Sequence, residues 1–251
     1  YKRFNKIQKH PLGQPFQKEI YHTAFPKRIF QKHYPKLTSS VFMIDSPKRM
    51  KSLERNWNDY DWGTIYIHEV FHLFQDSKWS KEIIGKDEII NSEPLQALKR
   101  NKKNINLIIE EQKIIKNALL KYDFSNKESI IKICKELIPR RQNRYKYVEN
   151  QIKHSIKSEQ FYETLEGTAR YIEKHIDLYS ISDPKKHKYI NNDLLGYLKE
   201  YGTKTYFYML DQIEVGENYF YETGFAFSLL LDKLDPSWKE QAFKKTLWEQ
   251  V

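Results

Sequence analysis

One spacing constrains this chain more than any other feature. His68-Glu69-Val70-Phe71-His72 sets two imidazoles four residues apart, with a carboxylate beside the first. On an α-helix, residues four apart share a face, so both rings can turn a nitrogen toward one point. Ile65, Ile67, Val70, Phe71, Leu73 and Phe74 make positions 64 to 78 read as a largely buried helix, with Thr64 as its N-cap after Gly63. Two histidines and a glutamate in so apolar a helix are costly unless each finds a partner. That partner is either a metal ion or a hydrogen-bonded pairing of the histidines within the core. Coincidence is a weak rival. With 8 His in 251 residues, composition alone yields the five-residue pattern in about 0.02 of such chains.

Zinc gives the spacing a chemical reason. Catalytic zinc takes three protein ligands at about 2.0 to 2.2 Å and keeps one position for water, whose acidity it raises toward neutrality. His68 and His72 are the expected first ligands. Glu69 is the expected base that takes a proton from that water and returns it to a departing amine. The third ligand must come from elsewhere, because Leu73-Phe74-Gln75-Asp76-Ser77-Lys78-Trp79 follows His72 without a glycine and a further histidine.

Its best source lies 94 residues beyond His72, at Glu166 in Phe161-Tyr162-Glu163-Thr164-Leu165-Glu166-Gly167-Thr168-Ala169-Arg170-Tyr171-Ile172-Glu173. Apolar residues at 161, 165, 169 and 172 predict a helix. Glycine inside a helix costs up to about 1 kcal/mol relative to alanine. A physical reason for Gly167, with Ala169, is close approach of this helix to the first one, so that a short glutamate can reach the ion. The alternative is an ordinary amphipathic helix whose glutamates face water. Glu163, three residues before Glu166 on much the same face, is the competing ligand.

These two motifs resemble those of the gluzincin metallopeptidases, which carry HExxH on one helix and a glutamate, often in Glu-Gly-x-Ala, on a later one. Glu166-Gly167-Thr168-Ala169 matches that second pattern. The resemblance implies zinc held by His68, His72 and Glu166, with Glu69 as general base, and hydrolysis of a peptide or protein substrate. It covers little of the chain beyond the two motifs. The thermolysin-like branch places an aspartate four residues after the ligand glutamate to hold a zinc histidine, whereas Arg170 stands there. Glu173 or Glu163 is then expected to orient the histidine. Gluzincins also use a tyrosine or histidine from a separate segment to support the oxyanion, for which Tyr221 in Asn218–Ser228 is the natural choice. Packing accounts for Tyr219 and Tyr221 equally well.

At 251 residues, 39% of them hydrophobic and 15% aromatic, the chain can bury a sizeable core as a single domain. No stretch approaches 18 consecutive apolar residues, so no transmembrane segment is expected. The net charge of +10 attracts acidic partners, with basic runs at 99–103, 140–146 and 185–188. Each reads as a solvated helical face, with nucleic acid or an anionic surface as the alternative and no specific nucleic-acid partner expected. Cys134 is the only cysteine, excluding an internal disulfide, and reads as a small apolar packing residue. The first residue is Tyr1 rather than methionine. With the resemblance to secreted bacterial peptidases, this suggests an exported protein trimmed of its leader.

The expected fold is α+β and predominantly helical. Residues 1–63 form an irregular part with a small N-terminal sheet, in which Ser40–Ile44 is a strand and a candidate edge for extended substrate. Helices are expected at about 92–121, 126–138, 140–160, 161–179, 187–201, 218–232 and 236–249. Breaks fall at Pro139 and Pro184, a cap at Ser125 or Asn126, and a helix start at Asp235-Pro236. The active-site cleft is expected between the HExxH helix and that of 161–179. Three other functions fit the same residues: a metal-binding protein without catalysis, a basic binder of nucleic acid or anionic surfaces, and a hydrolase of non-peptide amides.

Overall fold

The computed structural model describes residues 22–25, 35–36, 41–44, 46–48, 59–79, 97–98, 100–121, 126–152, 155–180 and 217–251. Two compact units divide the chain, residues 1–77 and 78–251. The expected helix at 187–201, the break at Pro184 and the basic run at 185–188 lie outside the described residues.

The first unit corrects the expected fold class. The described residues are helical almost throughout, and the fold is all-α rather than α+β with an N-terminal sheet. Among the described residues β structure is confined to β1 (His22–Phe25) and β2 (Val41–Ile44), an antiparallel ladder of four pairs from His22↔Ile44 to Phe25↔Val41. A ribbon of that length is marginal by itself and makes no layer on which helices can stack. Helix α1 (Asp59–Lys78) carries the HExxH sequence. It starts five residues before Thr64, which is therefore interior and not a cap. Among the described residues nothing lies within 4 Å of where a Cβ on Gly63 would stand.

The described residues of the second unit form four long helices: α2 (Lys102–Lys121), α3 (Lys127–Glu149), α4 (Ser155–Ser180) and α5 (Glu217–Leu234). Short α6 (Trp238–Gln241) and a 3-10 turn at Trp248–Gln250 follow. Asn126 caps α3, its side chain accepting from Glu128 N at 2.9 Å. Asp235 accepts from Ser237 N at 3.0 Å just before α6. Proline does not break α3. Pro139 costs the carbonyl of Lys135 its intrahelical partner, but both residues are exposed, so that carbonyl can reach water. Ile130, Ile133, Cys134, Leu137, Arg141, Arg144, Tyr145 and Val148 bury one continuous face across the proline and hold the two halves in line.

Helix α5 is the centre of this unit. Phe225, Ala226, Phe227, Leu229, Leu230 and Leu231 are all buried, as expected for a helix that is apolar on every side. Around it cluster Ile115 and Ala118 of α2, Ile130, Ile133 and Leu137 of α3, Tyr171 of α4, and Trp238 and Leu247. Against α4 the contact is closer than side chains allow. A Cβ on Gly167 would lie 2.3 Å from the Cα and carbonyl carbon of Gly224, and one on Gly224 would lie 1.9 Å from the carbonyl oxygen of Glu163. The small residue at 167 thus serves the crossing of α4 with α5.

The basic run at 140–146 is a solvated face only in part, through the exposed Arg140 and Lys146. Arg141 and Arg144 are fully buried among Glu111, Glu159 and Glu163. Arg144 Nε bonds Glu111 Oε1 at 2.7 Å and Nη1 bonds Glu159 Oε2 at 2.8 Å, while the Arg141 guanidinium stacks over Phe227 and Trp248. Two of the positive charges counted in the sequence are therefore spent inside the core. Among the described residues no helix is long and apolar enough to cross a membrane.

Candidate metal centre

The local geometry of α1 turns the expected spacing into a donor pair. His68 and Glu69 are each 3% exposed, and His72 is half-buried one turn on. Nε2 of His68 and Nε2 of His72 stand 3.1 Å apart. Two nitrogens bound to one tetrahedral zinc at about 2.0 to 2.1 Å would be about 3.3 Å apart, so the helix already sets them near that spacing.

A residue that the sequence reading missed fixes one of them. Gln75 is fully buried, and its Oε1 stands 2.6 Å from Nδ1 of His72. With the proton on Nδ1 donated to that amide oxygen, Nε2 keeps its lone pair for a metal. The orienting group is thus three residues along the same helix, and the i, i+3 relation to His72 was the available signal. Glu173 and Glu163, the expected orienting groups, both make ion pairs within the second unit. Glu173 pairs with Arg170 and, at 2.9 Å, with Lys174. Glu163 receives Nη2 of Arg141 and lies 2.8 Å from Oγ1 of Thr223.

That engagement also separates the two candidate third ligands. Ligand atoms of His68, His72 and Glu166 all lie within 4.8 Å of one another, whereas the Glu163 carboxyl is 1% exposed and tied into the arginine cluster. Two imidazoles and one carboxylate are a donor set suited to zinc, and an acceptor beside Nδ1 of His72, which leaves Nε2 for a metal, fits it as well. Tyr221 is half-buried on the second turn of α5. Its neighbour Tyr219 belongs to the core, its hydroxyl 3.4 Å from Arg141 Nη2.

Electrostatics around α4 are those of a dry interior. Burial pushes the Glu163 carboxyl up to about 7, helped by the nearby Glu159 carboxylate and opposed by Arg141. Burial acts on Glu159 in the same direction, but Arg144 and then Arg141 outweigh it and bring that group down to about 2. Three carboxyls thus face two guanidiniums, with burial acting against the ionised form of Glu163 and the arginines favouring that of Glu159. Glu222 of α5 is 1% exposed, with Arg170 Nη2 3.6 Å away, and burial raises it to about 7. Burial also raises the Cys134 thiol, in keeping with an inert packing role. No family model, curated protein or solved structure matches the chain.

Proposed function

We propose that this protein is a zinc-dependent peptidase whose metal is held by His68, His72 and Glu166. The observation that carries the reading is the meeting of their three donor atoms, with Gln75 Oε1 in hydrogen-bond reach of Nδ1 of His72. Bound zinc would supply Lewis acidity to a substrate carbonyl and to a water molecule. Glu69, buried beside the first ligand, accepts the proton of the attacking water and passes it to the leaving amine. Tyr221 is the proposed hydrogen-bond donor to the developing oxyanion. An amide bond in an extended peptide or protein is the substrate class this chemistry serves.

Elemental analysis and hydrolysis of a mixed peptide library test the assignment together. Wild-type protein is expected to carry one zinc and to cleave. Glu69→Gln should keep the metal and lose activity by roughly a hundredfold or more, the usual worth of a general base. Glu166→Ala should lose stoichiometric zinc while Glu163→Ala, if folded, still binds it, though more weakly. Full activity in Glu69→Gln would leave a metal-binding protein without this catalysis. Zinc lost from the 163 variant but not from the 166 variant would overturn the ligand set.

A further inference from the structure

We propose that Arg141, Glu163 and Thr223 are positioning residues for Glu166, a clamp that sets metal affinity although none of them is a ligand. The inference rests on the zinc reading above. Glu163 lies one helical turn before Glu166, and its Oε1 is gripped from two other helices. Nη2 of Arg141 on α3 reaches it from one side and Oγ1 of Thr223 on α5, at 2.8 Å, from the other. All three side chains are buried to 1% exposure or less. Thr223 Oγ1 is also 2.9 Å from the carbonyl oxygen of Tyr219 on its own helix, a second acceptor that shares its single hydroxyl hydrogen.

Two further contacts close on the same short segment. The backbone of Gly167 and the carbonyl of Glu163 rest directly on Gly224 with no room for a methyl group. Between them, Thr164 Oγ1 accepts from the backbone N–H of Leu247 at 2.9 Å, bringing in the C-terminal residues. Residues 163–167 are therefore held by α3, by α5 and by the segment before the last turn, with Glu166 as the residue among them whose carboxylate meets the histidines. A glutamate side chain alone is a loose ligand, with three rotatable bonds to order. Fixing the backbone that carries it removes rigid-body freedom from the donor, and metal sites respond steeply to misplacement of about 0.5 Å.

The test is a chelator-competition titration with zinc ion on the full chain, with thermal unfolding of each zinc-free variant recorded beside it. Thr223→Val keeps the bulk and removes the hydroxyl; Thr223→Ala does so with less bulk should the valine methyl not fit. Either is expected to weaken zinc about tenfold while the zinc-free protein remains folded at the titration temperature. Thr223→Ser restores the hydroxyl and should return affinity to within about twofold of wild type, which a role in packing alone would not predict. Glu166→Gln marks the loss of a ligand. If the valine and alanine variants bind zinc as wild type does while Glu166→Gln fails, the clamp is wrong and the zinc reading stands. A wild-type chain that takes up no zinc overturns both.

Discussion

Gly167→Ala sets helix propensity against packing, and the two predict opposite signs. In a helix interior, alanine is favoured over glycine by up to about 1 kcal/mol, so propensity alone says the variant is more stable. The crossing says otherwise. The new Cβ would sit 2.3 Å from Gly224 Cα and carbonyl carbon and 2.8 Å from Phe225 N, all backbone atoms of a buried helix. Ordinary carbon contacts are about 3.5 to 4.0 Å, so α4 and α5 would have to part by more than about 1 Å where they are closest. Overpacking relieved by side-chain movement costs typically about 1 to 3 kcal/mol. No rotamer can relieve this clash, so the net loss should be at least about 3 kcal/mol, a large share of the stability of a domain this size. Urea unfolding followed by far-UV circular dichroism measures it. Gly224→Ala, with a Cβ 1.9 Å from the Glu163 carbonyl oxygen, should lose as much. Gly63→Ala is the control: with nothing within 4 Å, it should gain about 0.5 to 1 kcal/mol. A Gly167→Ala protein that unfolds at the same or higher urea concentration than wild type would refute the reasoning.

Two other expectations concern single side chains. Gln75→Leu removes the acceptor that holds Nδ1 of His72, and zinc affinity should fall by about ten- to a hundredfold in a competition titration; unchanged affinity would show that the ring is oriented by something else. Glu222 has its carboxyl raised from 4.5 to about 7 by burial, so the folded state keeps a proton that the unfolded chain releases. Its favourable contribution is complete below pH 4.5 and is lost as pH rises through 7, a change of about 3 kcal/mol. Glu222→Gln should therefore gain on wild type between pH 5 and pH 8, and a difference that stays constant across that range would exclude the linkage.

The candidate site was legible where chemistry dictates spacing. HExxH could be read because two ligands on one helix must be four apart, and Glu166 because glycine and alanine beside a glutamate ask for an explanation. The explanation offered for Gly167 did not include α5, since a one-residue signal says that a backbone is close but not whose. Gly224 was the other half of that contact. Helix continuity across Pro139 was hidden because the penalty depends on whether the freed carbonyl meets water. The arginine cluster was misread from local composition, although 130, 134, 137, 141, 144 and 148 form an unbroken helical stripe that charge alone concealed. The N-terminal sheet failed for a different reason. A short β-branched run announces a strand but not enough partners to build a layer.

Buried ion pairs on α3 bear on how the second unit comes apart. Peeling away α2 would strip Arg144 of Glu111, and removing α4 would strip both guanidiniums of Glu159, leaving cations stranded in hydrocarbon. Partly open forms that keep α3 covered while losing either neighbour are therefore expensive, so the helices tend to separate together or not at all. The same apolar surroundings that make the cluster a poor source of net stability make it a strong source of cooperativity.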